Sequence, residues 1–307
     1  MTEPHTPPAE PPPPATRAGI VTVVGRPNAG KSTLLNRVVG EKLAITSEKP
    51  QSTRDRVVGI RTEGGVQMVF FDTPGLLEPR YALHEAMRAA AVNALRDADV
   101  VIYLADATQG IPIPLSAAAG LPDEPRVPIL LTLNKADLLD GDARSALAAA
   151  APHARVVSAT SGEGIDALVA DVGARLPVSP FLYPDDEIST QSMRFFVAEL
   201  VRETALEQLG DEVPYSIACE IDEYREAATP VYIRAVLYVE RESQKGIVIG
   251  ARGARLREIG RVARGKIESL VGGSVYLDLW VKVLPNWRRD ARALRRFGYT
   301  SQPGTKP

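Results

Sequence analysis

The sequence predicts an α/β protein: a mainly parallel, doubly wound sheet followed by a smaller α+β module. Three observations carry that prediction. Apolar runs of strand length alternate with segments of helical period as far as about residue 176, the pattern of successive strand–helix–strand units. Beyond residue 192 the rhythm changes to helix, strand, strand, two helical stretches and a last strand. Between the first strand and the first helix stands Gly25-Arg26-Pro27-Asn28-Ala29-Gly30-Lys31-Ser32, of the form G-x-x-x-x-G-K-[ST].

Residues 1–17 are proline-rich and almost free of large apolar side chains, so a disordered tail is expected there. Ile20–Val24 reads as the first strand, and the helix opened by Lys31 runs to about Val39. Residues 41–56 are polar and irregular. Residues 57–62 and 66–71 form a strand pair around Gly64-Gly65. Helical spacing covers 83–97, and Val100–Leu104 is a buried strand. Five prolines within 109–128 leave room only for a short helix near 115–119. Strands at 129–133 and 155–158 alternate with helices at 142–150 and 164–176, completing a unit over 18–178. Residues 179–191 read as a linker and 192–300 as the second module, with a flexible tail over 301–307. In that module Met193–Gln208 is an amphipathic helix, and 213–224 and 231–240 are strands. An apolar stretch, 246–249, reads either as a strand or as the first of two helical turns around Gly250-Ala251-Arg252-Gly253, into which it leads. A helix to about Leu270, a strand over 274–283 and a basic helix over 288–297 complete it.

Composition sets bounds. The chain has 307 residues, 45% apolar and 24% charged, ordinary for a soluble globular protein of two domains. It contains no apolar run of membrane-spanning length, and its polar start is not a signal peptide. Its single cysteine, Cys219, cannot form an intramolecular disulfide, and no base is placed to make it a nucleophile. His5, His84 and His153 lack metal-ligand spacing and read as surface or helix residues. The net charge of -2 conceals segregation: residues 181–240 carry 4 basic and 13 acidic groups, residues 241–307 carry 15 and 5. A basic last fifth suits a polyanionic partner or a solvated basic face.

The chemistry lies in five stretches. The glycine turn lets backbone N–H groups close around phosphates at a helix N-terminus, with Lys31 reaching the β/γ-phosphates and the Ser32 hydroxyl available to Mg²⁺. Asp72-Thr73-Pro74-Gly75 leaves the carboxyl end of a strand, where Asp72 can hold Mg²⁺ through water and the Gly75 N–H can sense a γ-phosphate. Asn134-Lys135-Ala136-Asp137 follows another strand. Its aspartate can accept from guanine N1–H and the exocyclic amine together, which adenine cannot satisfy. Ser158-Ala159-Thr160 follows the next strand, where the Ala159 N–H can point at guanine O6. Pro50-Gln51-Ser52-Thr53-Arg54 lies in the irregular segment, placing Thr53 to complete Mg²⁺ coordination when a γ-phosphate is present. The nucleotide-binding set is thus Gly25 to Ser32 with Thr33, Asp72 to Gly75 with Leu76, Asn134 to Asp137 and Ser158 to Thr160. Lys31, Thr53, Asp72 and Gly75 carry the catalytic work, and Ser32, Thr53 and Asp72 the metal.

These motifs, with Glu240 to Gly250 and the closing Val281-Lys282-Val283, Trp287-Arg288 and Phe297-Gly298-Tyr299, resemble the Era family of translation-factor-class bacterial GTPases over about residues 18–300. The resemblance implies an α/β P-loop NTPase joined to a type II KH module whose G-x-x-G loop clamps single-stranded RNA. It implies GTP hydrolysis coupled to binding small-subunit (16S) ribosomal RNA near its 3′ end, during assembly of that subunit. It also implies a monomer in the cytoplasm with some peripheral membrane association. RNA contacts fall on Lys245, Gly246, Ile249, Gly250, Ala251, Arg252, Gly253, Arg255 and Arg257, with Arg261 and Arg264 in the same cluster. The chain departs from the family's usual Gly-Lys-Gly-Gly at 250–253. Ala251 loses a lysine–phosphate contact, while Arg252 returns charge one place later without glycine's freedom at positive φ.

Leu76 stands where many signalling GTPases carry a water-orienting glutamine, and no arginine finger is evident. A finger is worth roughly 10³–10⁵ in rate, so slow intrinsic turnover is expected. GTPases resembling this one, with asparagine at the position of Asn28, can bind K⁺ beside the phosphates; the other reading is that Asn28 only caps the loop. A second functional class stays open, a GTP-dependent scaffold on a protein or anionic membrane surface, because the basic segment 288–297 can meet RNA or lipid.

Overall fold

The computed structural model describes residues 16–299 except 48 and 211, so most of the expected N-terminal tail and the tail over 301–307 lie outside the described residues. Strand β1 (Arg17–Val24) is buried from its second residue on, because β3 (Val66–Asp72) and β4 (Val100–Asp106) flank it on either side. Two-sided burial explains its unbroken apolar run. It starts earlier than the apolar run predicts: Arg17, assigned to the tail, already pairs with Val66. Beyond β4 lie β5 (Ile129–Asn134) and the two-residue β6 (Arg155–Val156), all parallel to β1. On the other side β2 (Val57–Glu63) closes the sheet antiparallel to β3, giving the order β2-β3-β1-β4-β5-β6.

Helices α1 (Lys31–Val39), α2 (Ala82–Asp97), α3 (Leu115–Ala119), α4 (Gly141–Ala150) and α5 (Ile165–Arg175) connect the strands. On one face, α1 and α5 bury Leu34, Leu35, Leu168 and Val172 against Val21, Val23 and Ile102. On the other, α2 buries Ala91 and Leu95 against Val24, Val101 and Tyr103. Because the strands run parallel, the loops after β1, β3, β5 and β6 gather at one carboxyl edge.

The second module is built from α6 (Met193–Gln208), β7 (Ala218–Arg225), β8 (Val231–Val239), α7 (Glu242–Ile249), α8 (Ala254–Val271), β9 (Val275–Val283) and α9 (Ala291–Arg296). Its sheet has the order β7-β8-β9, antiparallel then parallel. The inner faces of α6 and α8 pack on it through Val197, Val201, Ile259, Ala263 and Ile267.

Three expectations are corrected or settled here. Val213–Ser216 is a single 3-10 turn rather than strand, since Pro214 near its start cannot donate to a ladder; pairing begins at Ala218. The apolar run 246–249 is helical, the last turn of α7, whose Val248 faces the core. The basic segment 288–297 is not one helix. Asp290 interrupts it, its carboxylate accepting from the backbone N–H groups of Arg292 and Ala293 and starting α9 afresh.

The two modules share a core. Leu83 and Met87 of α2 pack with Ala218, Val236, Tyr238, Leu294 and Trp287. Trp287 is fully buried, donates its indole N–H to the Ser216 carbonyl at 2.8 Å, and meets the Phe297 ring edge-on at 5.2 Å. The stretch read as a linker is pinned rather than free. The Ile60 N–H donates to the Ile188 carbonyl, the Ser189 hydroxyl to the Val58 carbonyl, and the Leu182 and Tyr183 N–H groups to the Gln67 amide oxygen. Trp287→Ala should cost about 3–5 kcal/mol, the range for emptying a fully buried aromatic site. Urea unfolding followed by far-ultraviolet circular dichroism checks this; a midpoint equal to wild type would contradict the shared core.

Candidate functional site: a guanine-nucleotide cleft and an RNA-type loop

A cavity of about 470 Å³ opens at the carboxyl edge of the large sheet. Its floor is the turn from β1 into α1, with Pro27, Asn28, Gly30, Lys31, Ser32 and Thr33 on its wall. Gly25 must be glycine: a Cβ there would sit 2.0 Å from the Leu104 carbonyl oxygen. Gly30 takes φ 94°, the left-handed turn that aims the α1 N–H groups into the cleft. Lys31 is almost wholly buried and donates to the Gly25 and Arg26 carbonyls at 3.3 and 3.0 Å. Burial pulls its ammonium down to about 8, with Asp72 acting in the opposite direction.

Ser32, Thr53 and Asp72, from three separate stretches, meet at one point. The Ser32 hydroxyl lies 2.9 Å from the Thr53 hydroxyl and donates to the Asp72 carboxylate at 2.7 Å; the Thr53 hydroxyl donates to the same oxygen at 3.2 Å. Burial pushes the Asp72 carboxyl up, while Lys31 and the two hydroxyls pull it back. Its second oxygen is buried with no hydrogen-bond partner among the described residues. Two hydroxyls and a carboxylate with an unsatisfied oxygen form an all-oxygen donor set, which suits Mg²⁺.

The base end is braced from three directions. The Asn134 amide donates to the Ala29 carbonyl at 2.8 Å and accepts from the Ala159 N–H at 2.9 Å. That N–H, expected to point at guanine O6, is taken here by the Asn134 amide oxygen. The Ser158 hydroxyl donates to Asp137 at 2.5 Å, fixing the carboxylate expected to read the base edge. Lys135, at φ 67°, lines the cavity and pairs with Asp106 at 2.7 Å.

Not every predicted contact reaches the cleft. The Leu76 side chain is buried beside α2 with Ala91 and Leu95, and its N–H holds the Gly25 carbonyl at 2.9 Å. The Thr73 hydroxyl is spent on the Val23 carbonyl. Gly75 does line the cavity; a Cβ there would meet the Pro27 backbone nitrogen at 2.6 Å. Other residues escaped sequence reasoning. Arg37 of α1 donates to the Ala159 and Thr160 carbonyls, bracing the base loop, but it sits in an ordinary helical position that gives no signal. Ile45, Thr46, Ser47 and Gln51 line one wall from the irregular segment. His84, read as a surface or helix residue, is buried on α2, its ring nitrogen 3.1 Å from the Gln51 amide oxygen.

The irregular segment is also fastened to the second module. Thr46 N–H and Lys42 reach Glu203 of α6, which Lys266 holds from α8. Lys49 donates to the Leu206 and Leu209 carbonyls. Arg202 takes the Ser52 carbonyl. Arg54, almost wholly buried, donates to the Pro214, Tyr215 and Ile217 carbonyls and lies 5.5 Å from the centre of the Trp287 ring.

In the second module, Gly250-Ala251-Arg252-Gly253 turns between α7 and α8. Gly250 and Gly253 take φ 70° and 76°, and Arg252 also takes positive φ, 50°. The strain expected at Arg252 is thus accepted, and its carbonyl takes a hydrogen bond from Arg257 at 2.9 Å. Arg252, Arg255 and Arg257 are exposed and face no carboxylate within ion-pair distance among the described residues. Arg261 and Arg264 are paired with Glu258 and Glu268 on their own helix. Lys245, Gly246 and Ile249 lie on α7 just before the loop, and Ala251 lies within it.

Nucleotide cleft and loop together define a GTPase joined to a KH module. Residues 20–135 match the family model described as a 50S ribosome-binding GTPase, and residues 212–288 match that of the KH domain. The chain is 44% identical to the GTPase Era of Ectopseudomonas mendocina over 93% of its own length and 98% of that protein's. It is equally identical to the Era of Pseudomonas aeruginosa PAO1, with 94% and 96% covered. Two solved structures overlay with a TM-score of 0.86 across 92% of this chain and 99% of theirs: a variant of Aquifex aeolicus Era bound to GDP and aluminium fluoride (37% identical), and Era with MgGDPNP and nucleotides 1506–1542 of 16S ribosomal RNA (38%). The chain belongs to the Era family of GTPases, and its cleft binds and hydrolyses GTP.

Lys31→Ala removes the ammonium that meets the phosphates and should abolish detectable GTP turnover, with the circular dichroism spectrum unchanged. Asp137→Asn should lower GTP affinity by at least about 100-fold and admit xanthosine triphosphate in exchange, since the amide donates where the carboxylate accepts. Isothermal titration with both nucleotides reads the exchange directly.

Proposed function

We propose that this chain binds the 3′ end region of small-subunit ribosomal RNA during assembly of that subunit, and that the γ-phosphate of GTP sets its grip on the RNA. Support for the RNA comes from the Era structure solved with a 16S segment and from the exposed arginines beside the Gly250–Gly253 turn. One observation carries the coupling: consecutive residues of the irregular segment serve two masters. Thr53 closes on Ser32 and Asp72, while Ser52 and Arg54 are bound by the second module.

Lys31 holds the β/γ-phosphates, and Gly75 brings its N–H to the γ-phosphate. Ser32, Thr53 and Asp72 would hold Mg²⁺, which would supply positive charge to the phosphate oxygens. Loss of the γ-phosphate releases Thr53, and with it the segment that α6 clasps. A two-state element biased from both ends is the physical requirement for coupling two sites. Turnover is slow, because Leu76 is committed to the core and orients no water. Asn28, at φ 63° on the cavity wall, is the residue to hold K⁺ beside the phosphates, where its charge would stand in for a finger. The RNA reading is preferred over a lipid surface, because Arg288 and Arg296 of the basic segment are occupied by Glu240 and Glu220.

Arg54→Ala should leave GTP binding within about threefold and shrink the difference in RNA affinity between GTP-analogue and GDP states, a coupling of ordinary allosteric size being about 5–150-fold. Fluorescence anisotropy in the two states measures it; a difference as large as wild type would overturn the coupling. Turnover should be faster in K⁺ than in Na⁺ at equal ionic strength, and Asn28→Ala should erase that preference.

A further inference from the structure

We propose that the outer face of the three-stranded C-terminal sheet is a second site for single-stranded RNA, at which Tyr276 and Trp280 stack on bases. This rests on the RNA reading of the neighbouring loop and extends it to a surface that the loop does not touch.

Side chains alternate along β9. Leu277, Leu279 and Val281 pack on the module core, which turns Tyr276, Asp278, Trp280 and Lys282 to the other face. That face has two unlike halves. At one end Val236 and Tyr238 are covered by Leu83, Met87, Trp287 and Leu294. On β9, Trp280, paired with Val236, and Tyr276, further along, remain 52% and 58% exposed. Their rings are nevertheless held in place. Asp278 accepts from the Trp280 indole N–H at 2.8 Å, the Tyr232 hydroxyl at 3.0 Å and Arg234 at 2.9 Å. The Tyr232 and Tyr276 rings stack at 5.8 Å with an interplanar angle of 11°. Rings fixed before binding lose little freedom on contact, which is what a stacking platform needs.

The choice of occupant comes from position. β9 is the open edge of this sheet. Leu279, next to Trp280 but on the inner face, lies 3.9 Å from where a Cβ of Gly260 would be, on the helix that begins at the Gly250–Gly253 loop. A strand leaving the loop across this edge meets Trp280, then Tyr276, about 13 Å further on. Lys282 is exposed beside them, and Arg225 and Arg234 lie over the Tyr232 ring at 5.0 and 5.8 Å. Glu223 and Asp278 balance those two arginines. The face therefore holds bases by stacking more than phosphates by charge.

Anisotropy titrations of the full chain with RNAs of about 5 and about 12 nucleotides test this, the shorter filling only a loop that clamps about four. Tyr276→Ala with Trp280→Ala should weaken the longer RNA by roughly 10-fold or more and leave the shorter unchanged, whereas Trp280→Phe should retain most of the affinity. The loss should be similar at about 50 and 200 mM salt, unlike that of the loop arginines. Trp287 is buried, so base stacking should quench the Trp280 fluorescence, and the quenching should vanish in Trp280→Phe. Unchanged affinity for the longer RNA, equal loss at both lengths, or no quenching would each overturn the proposal. So would a Trp280 that RNA leaves unquenched and a ribosomal protein shields. If the shorter RNA fails to bind and Gly253→Asp changes nothing, the loop reading falls instead, and quenching by the longer RNA still reports on the sheet face.

Discussion

The structure depends on the convergence of three hydroxyl and carboxylate groups, Ser32, Thr53 and Asp72, on one buried point. Asp72 is wholly buried, where a lone carboxylate costs several kcal/mol. Hydroxyl donors and the nearby ammonium of Lys31 make that position tenable. The stretch carrying Thr53 therefore cannot settle independently of Ser32 and Asp72. It also cannot settle independently of α6, because Arg54 is buried against the second module's carbonyls. A guanidinium removed from water needs every donor satisfied, and one buried nitrogen of Arg54 has no partner among the described residues.

The electrostatics of the clasp follow the same logic. Glu203 is fully buried, which alone would raise its carboxyl above the usual range; Lys42 from one module and Lys266 from the other hold it below. The same carboxylate thus ties the irregular segment to both α6 and α8. Because α8 starts at the Gly250–Gly253 turn, the helix that presents the loop arginines shares an anchor with the segment that carries Thr53.

Much of this was legible in the sequence. Four of the five nucleotide stretches could be located because each follows a strand, and glycine, lysine and aspartate at fixed spacing have a mechanical reason to be there; the fifth, residues 50–54, lies between α1 and β2. Ser32, Thr53 and Asp72 could be assigned to one site without coordinates. What escaped was whatever depends on partners distant in sequence. Arg54, Arg202 and Lys49 carry no signal in the sequence for the contacts by which they fasten two modules together. Arg37 braces the base loop from a helix position no different from its neighbours. Leu76 could be recognised as unable to orient water, but not as a core residue. Val213–Ser216 misled because apolar content was weighed above the proline within it. In the basic segment, arginine content hid that Asp290 breaks the helix and that two of the arginines are spent on Glu240 and Glu220.

The tethered stretch between the modules has a consequence for solubility. Strand β2 is an outer strand of the large sheet, a ready template for pairing with another chain. Ile188 and Ser189 take up its Ile60 N–H and Val58 carbonyl, and Gln191 accepts from the Val58 N–H. The opposite margin, β6, is only two residues long. A connector that could have been slack thus works as a selvedge, and a proteolytic cut within it would bare the longer margin of the large sheet, on which copies of this chain could zip together.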